Sequence, residues 1–190
     1  MSELNVITAG CPEWTSEIVD WHARLATDEQ KMRLAIELAR QNVLRGTGGP
    51  FGAAVFEIGS GALIAVGVNS VTRLNNSVLH AEVLALMLAE QRVGSYSLLK
   101  PDHPGHELFT SCDPCAMCLG AALWSGIRRL VAGADRADAS AVSFDEGPVF
   151  PESYVYLESR GVEMSRGILR DEAAAVLDLY QRQGGPIYNA

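Results

Sequence analysis

Basic charge is scarce in this sequence. Its 190 residues hold 15 Lys and Arg against 23 Asp and Glu, a formal net charge of −8. The only adjacent basic pair is Arg128–Arg129. Proteins that grip nucleic acid through its phosphates need a dense basic surface, so that class is disfavoured, short of a local basic groove. Long apolar runs are missing too. The longest, residues 83–89, falls far short of the ~20 residues that cross a bilayer. No basic start followed by a sustained apolar core opens the chain, so no signal peptide is expected. Four cysteines without secretory features suit metal binding or reduced thiols better than a disulfide framework. The expected compartment is the cytoplasm. Repeats and low-complexity tracts are also lacking, and the length suits one domain with a full core.

What is present reads as alternating elements. Residues 1–26 form an N-terminal extension with a short helix carrying Ile18, Val19 and Trp21. Residues 27–190 form a single main domain, tail included. It begins at Thr27, a helix cap with Gln30 three residues on. Leu34, Ile36, Leu38, Ala39 and Val43 give that helix an apolar side, and Gly46 ends it. Strands are expected at 53–57 and 63–68, joined by a turn around Gly59–Gly61. A helix follows over 81–92, a Pro/Gly/His-rich loop, a strand near 107–110, and a helix over 115–124. Residues 129–134 read as strand, 151–160 as helix, 162–165 as strand and 171–183 as helix. A hairpin followed by alternating helix and strand implies a mixed sheet with helices on both faces. Helices joined through a strand run parallel in such layouts, so those starting at 81 and 115 begin at the same end of the sheet. Ligands of open α/β folds bind beyond the carboxyl ends of the strands.

Both helix starts carry chemistry. His80-Ala81-Glu82 opens one, and Pro114-Cys115-Ala116-Met117-Cys118 opens the other. Cys115 and Cys118 are three residues apart, so their sulfurs can converge in the first helical turn. A helix amino terminus favours the thiolate that binds zinc, and the His80 imidazole suits a third ligand. Three protein ligands leave one position for water, as catalytic zinc sites do. Glu82 is then free to move protons. Residues i and i+2 lie about 200° apart around a helix, so His80 and Glu82 flank one site only at the helix end. H-x-E with P-C-x-x-C is a signature of zinc deaminases, and the match is a resemblance to that signature. Three plainer readings stand beside it. His80 can be an ordinary capped or core histidine, and the two cysteines can be a thioredoxin-like dithiol. Cys112, three residues before Cys115, can be a fourth ligand that closes a structural zinc site.

The sequence further resembles the bacterial guanine deaminases of the cytidine deaminase-like superfamily, from about Gly48 to the C-terminus. The resemblance rests on G-G-P-F-G-A at 48–53, Asn69, H-A-E-V at 80–83, S-C-D-P-C-A-M-C-L-G-A at 111–121, Phe144-Asp145-Glu146, and Tyr188. It implies an α/β fold, a three-layer α/β/α sandwich around a mixed five-stranded sheet, and Zn2+ held by His80, Cys115 and Cys118. It also implies hydrolytic deamination of guanine to xanthine, with Glu82 and Glu146 catalytic. Phe51, Asn69, Glu146 and Tyr188 would bind the base. A homodimer is implied, whose C-terminal segment can cross to the partner.

The local chemistry is compatible. Phe51 can stack on a flat ring, or be a core aromatic. Asn69 offers a donor and an acceptor to an amide-like edge, or simply ends a strand. An ionised Glu146 accepts from ring N–H or amine, where the family usually has Asp. Tyr188 can close the site from the tail. Related substrates stay open: ammeline-like triazines, adenine in tRNA, or a cytosine-type base. So does a non-catalytic zinc-binding interaction protein. The chain departs from the pattern in residues 1–26, in Asp113 where Glu is commoner, and in a longer 101–106 loop. His103 and His106 read as solvated there, and His22 as no metal ligand. Trp14 and Trp21 are read as covering part of the domain or a dimer partner.

Overall fold

The structure, a computed structural model, describes residues 6–99, 101 and 103–188. In chain order its elements are α1 (Thr15–Ile18), α2 (Asp28–Leu44), β1 (Gly52–Glu57), β2 (Leu63–Val68), α3 (Val71–Leu74), α4 (Ala81–Val93) and β3 (His106–Cys112). They continue with α5 (Ala116–Ser125), β4 (Arg129–Ala134), α6 (Arg136–Ala141), α7 (Pro151–Ser159), β5 (Glu163–Ser165) and α8 (Arg170–Arg182). Local signals start several of them. Thr27 accepts from Gln30 N while the Gln30 side chain accepts from Thr27 N, a full capping box on α2. Pro151 pre-sets the first turn of α7.

The five strands lie in the order β2-β1-β3-β4-β5. β1 runs antiparallel to β2 and β3, and β3, β4 and β5 are parallel. Strand periodicity sorts the core into two layers. On one face Ala54, Phe56, Phe109 and Val131 pack with Met32, Leu38, Val176 and Leu177 of α2 and α8. On the other, Val55, Leu108, Leu130 and Ala132 pack with Ala85, Leu119, Ala122 and Leu157 of α4, α5 and α7. The chain is thus the three-layer α/β/α sandwich around a mixed sheet that the resemblance implied. Gly67 allows α4 to sit close on β2, since a Cβ there would come 2.1 Å from the Ala81 carbonyl oxygen.

At the amino ends of β3 and β4 lies a buried ionic cluster. Glu107 accepts from Lys31 Nζ at 2.5 Å and Arg129 at 3.1 Å, and Arg129 also pairs with Asp28 at 2.6 Å.

Three expectations change. His106 is buried, with 2% of its surface exposed, because it opens β3 opposite Glu57 and its Nδ1 lies 2.9 Å from the Leu98 carbonyl. His103 is half-buried and bridges to Glu57 at 2.9 Å, so neither histidine is a solvated loop residue. Among the described residues of the N-terminal segment only Thr15–Ile18 is helical; Val19 and Trp21 lie past its end. Trp14 and Val19 join the core of the α2 layer, Trp21 packs against it, and both tryptophans cover the chain's own body. Among the described residues, no helix is long and apolar enough to cross a membrane.

Candidate active site

β3 and β4 are parallel, and the turn after β3 is fastened where Asp113 N donates to the Ala134 carbonyl at 2.8 Å. Pro114 follows, and Cys115 caps α5 in an extended conformation. His80 caps α4 in the same way, at φ −67° and ψ 160°. The two helices start at one place: His80 Nδ1 lies 3.5 Å from Cys115 Sγ and 3.6 Å from Cys118 Sγ. The three ligand atoms fall within 4.8 Å of one another, the one such group among the described residues.

All four cysteines are free thiols. The hydrogen bond from Cys118 lowers Cys115 to about 4 against the cost of its burial, and the same bond pushes Cys118 well up. The opposite directions describe one proton shared by two sulfurs, so the pair titrates as a unit. A cation that displaces that proton leaves two thiolates and an imidazole, a donor set that fits a divalent metal ion with one position open. Cys112 is elsewhere: its Sγ donates to the Asp135 carbonyl at 3.7 Å, so it does not close the group as a fourth ligand.

Glu82 is the second residue of α4, buried, and its Oε1 accepts from Thr110 Oγ1 at 3.2 Å. Desolvation, then the Cys115 thiolate, raises its carboxyl above the ordinary carboxylate range. Because His80 lies in the extended cap and not in the helix, the wheel angle between i and i+2 does not separate them. Both line one cavity.

That cavity holds about 510 Å³, a size typical of small-molecule sites. Phe51, His80, Glu82, Cys115, Glu146 and Tyr188 line it, while Cys118 lies behind at 1% exposure. Burial lifts the Glu146 carboxyl to about 8, helped by the negative charges of Cys115 and Glu82. The Tyr188 hydroxyl is buried without a partner. Gly49 makes room for it, since a Cβ there would lie 1.8 Å from that oxygen. The tail reaches its own chain's cavity because Tyr180 Oη donates to the Pro186 carbonyl at 2.6 Å. Asn69, expected to bind the base, is hydrogen-bonded to two lining residues, Phe51 and Val71. It is fully buried and outside the cavity lining, its Oδ1 accepts from Val71 N at 3.3 Å, and its Nδ2 has no partner.

Sequence reading missed Val71, Ser77, Met117 and Phe144, which also line the cavity. Met117 and Phe144 stood inside motifs already noted; Val71 and Ser77 carried no signal, because α3 itself was not foreseen. Phe144 is buried beside Phe51, Tyr180 and Tyr188, at ring distances of 5.0, 5.9 and 5.2 Å.

Residues 25–134 match the family described as the cytidine and deoxycytidylate deaminase zinc-binding region. The guanine deaminase of Bacillus subtilis is 39% identical over 124 residues, 65% of this chain and 75% of that protein. A solved guanine deaminase from Nitrosomonas europaea superposes with a TM-score of 0.89 at 41% identity, covering 94% of this chain and 97% of that one. Another solved chain, in complex with 2,6-diaminopurine, gives 0.91 at 42% identity and covers 98% of both. His80, Cys115, Cys118, Glu82 and strands β1 to β4 fall within the matched span, and the chain belongs to the cytidine and deoxycytidylate deaminase family.

Proposed function

We propose that this chain deaminates guanine hydrolytically, giving xanthine and ammonia. The observation that carries the reading is the meeting of His80, Cys115 and Cys118 at two helix starts, with buried Glu82 beside them in one cavity. Guanine in particular is supported by the similarity to guanine deaminases over most of the chain.

In this reading His80, Cys115 and Cys118 hold a zinc ion, which when bound supplies the Lewis acidity that makes water nucleophilic near neutral pH. Water adds to the ring carbon that bears the exocyclic amine. Glu82 takes a proton from the attacking water, passes it to the adjacent ring nitrogen, and assists as the carbon–nitrogen bond breaks and ammonia leaves. Its burial suits this work, because a carboxyl that holds its proton readily can both accept and return one. Glu146 faces the base from the loop before α7 and, ionised once a cation offsets the negative charge of Cys115, accepts from its N–H groups. Phe51 stacks on the ring, Tyr188 covers it, and Asn69 offers its unpaired amide to the base edge.

The reading includes a homodimer, for which Met87, Trp124 and Tyr156, on α4, α5 and α7, offer exposed apolar surface. Tyr188 lines the cavity of its own chain, and an exchanged C-terminal segment would seat it in the partner's cavity. A cytoplasmic location accords with the four free thiols.

Ammonia release from a panel of purines, pyrimidines, aminotriazines and tRNA tests the proposal. Guanine should be the fastest substrate. Glu82→Gln should keep its zinc by metal analysis while losing about 10²–10⁴-fold in turnover. Silence across the panel with zinc bound would overturn the reading in favour of a structural metal.

A further inference from the structure

Two fully buried asparagines meet where a Gly48 side chain would stand, and they are used differently. Asn42, on α2, uses both its N–H bonds and its oxygen. Its Nδ2 donates to the carbonyls of Gly49 at 2.8 Å and Asn69 at 2.9 Å, and its Oδ1 accepts from Thr47 Oγ1 at 2.7 Å. Thr47 Oγ1 in turn accepts from Trp14 Nε1 at 3.0 Å. Asn69 keeps an unpaired Nδ2.

The two carbonyls held by Asn42 belong to the segments that carry the base-facing side chains. Gly49 abuts the Tyr188 hydroxyl and precedes Phe51, whose N–H it accepts at 2.9 Å. Asn69 N donates to the Phe51 carbonyl at 3.0 Å. At Gly48 the segments press together, since a Cβ there would meet Asn69 O at 2.0 Å and Asn42 Nδ2 at 2.7 Å. A planar amide with two diverging N–H bonds is a rigid spacer between two carbonyls. An unpaired buried donor is costly until a ligand accepts from it, so its placement matters to binding.

We propose that Asn42, backed by Thr47 and Trp14, is a positioning residue that sets the spacing of the Phe51 and Asn69 segments. The N-terminal segment, which the family match leaves out before residue 25, thereby takes part in base recognition. The proposal rests on reading the cavity as a nucleobase site. Asn42 acts through Asn69 and Phe51, without touching the base.

Thr47→Val removes the central hydroxyl and leaves Asn42 Oδ1 and Trp14 Nε1 unpaired. It should raise KM for guanine about fivefold, the worth of one net hydrogen bond, with kcat nearly unchanged. Thr47→Ser should restore KM. Trp14→Phe keeps a ring and removes the N–H, and should raise KM about twofold; an unchanged KM there removes the N-terminal segment from the proposal. In an Asn69→Ala background, Thr47→Val should raise KM by less than it does alone, since only the route through Phe51 is left. Fully multiplicative effects in that double variant overturn the proposal, since they mark general destabilisation.

Hydrogen exchange supplies a readout independent of turnover. Thr47→Val should accelerate exchange at the amides of Phe51, Asn69 and Val71, and unchanged exchange also overturns the proposal. A wild-type chain that deaminates no base overturns the nucleobase reading instead, whatever the exchange rates.

Discussion

Strand β3 joins two regions that treat buried polarity in opposite ways. At its start, Glu107 is held by Lys31 and Arg129, and Arg129 also meets Asp28, Glu163 and the Ser165 hydroxyl. Lys31 lies 5.6 Å from the centroids of both Phe56 and Phe109, so its charge also faces two aromatic rings. Beyond its other end, Asn69 Nδ2 and Tyr188 Oη have no partner, and Asp113 Oδ1 has only Arg166 Nε at 3.5 Å. One region spends its polar groups on the fold. The other holds them back. Buried polar atoms are normally paired, so a concentration of unpaired ones beside three metal-type donors marks where a ligand completes the structure.

Three changes test this contrast, the largest effect first. Lys31→Met should weaken the paired end, costing about 1.5–3 kcal/mol of stability in urea titrations, since Glu107 loses one charged hydrogen bond and keeps Arg129. Folded Lys31→Met protein should keep its kcat/KM for guanine; a lower value would show that the two ends are coupled.

At the open end, Glu146 sharpens the comparison through pH. Its carboxyl sits at about 8 in the folded chain against an ordinary 4.5. Between those values the folded chain holds a proton that the unfolded chain has lost. Its contribution therefore falls as pH rises from 4.5 through about 8. Glu146→Gln should flatten that decline in urea midpoints of metal-free protein measured across this range. Some slope should remain, because burial shifts Glu82 in the same direction. A decline as steep as the wild type's would place the proton elsewhere.

The smallest effect belongs to Tyr188→Phe. Removing a hydroxyl that has no partner should leave free-protein stability unchanged or slightly higher. Guanine KM should rise about fivefold if the hydroxyl pairs with the base. Lower stability with unchanged KM would assign Tyr188 to the paired region.

The sequence was most legible where the relevant physics is short-range. The Thr27–Gln30 capping box, the hairpin strands and the i, i+3 cysteines each depend on neighbours within a turn or two, and each appears as read. α3 and α6 were missed because 4 and 6 residues are too few to display an apolar period. His106 was misread because polarity suggests solvent, whereas pairing in β3 decided its burial. Asn69 was read as binding the base; what the sequence did not show is that Val71 N takes its Oδ1 while packing leaves its Nδ2 buried and unpaired. Cys112 was ambiguous for a similar reason. It has metal-ligand spacing from Cys115, and only the path of the strand turns its sulfur towards Asp135.

By itself, then, the sequence determined the donor types, their placement at helix starts and the alternation that builds an α/β sandwich, since these follow from local spacing and side-chain chemistry. The tertiary structure decided which donors meet, which asparagine is consumed by the fold, and that Trp14 stands behind the site. Those outcomes depend on contacts between segments far apart in the chain, as where Asn42 grips Asn69 27 residues on and Trp14 meets Thr47 33 residues on. No local pattern encodes such distances; sheet register and helix packing set them.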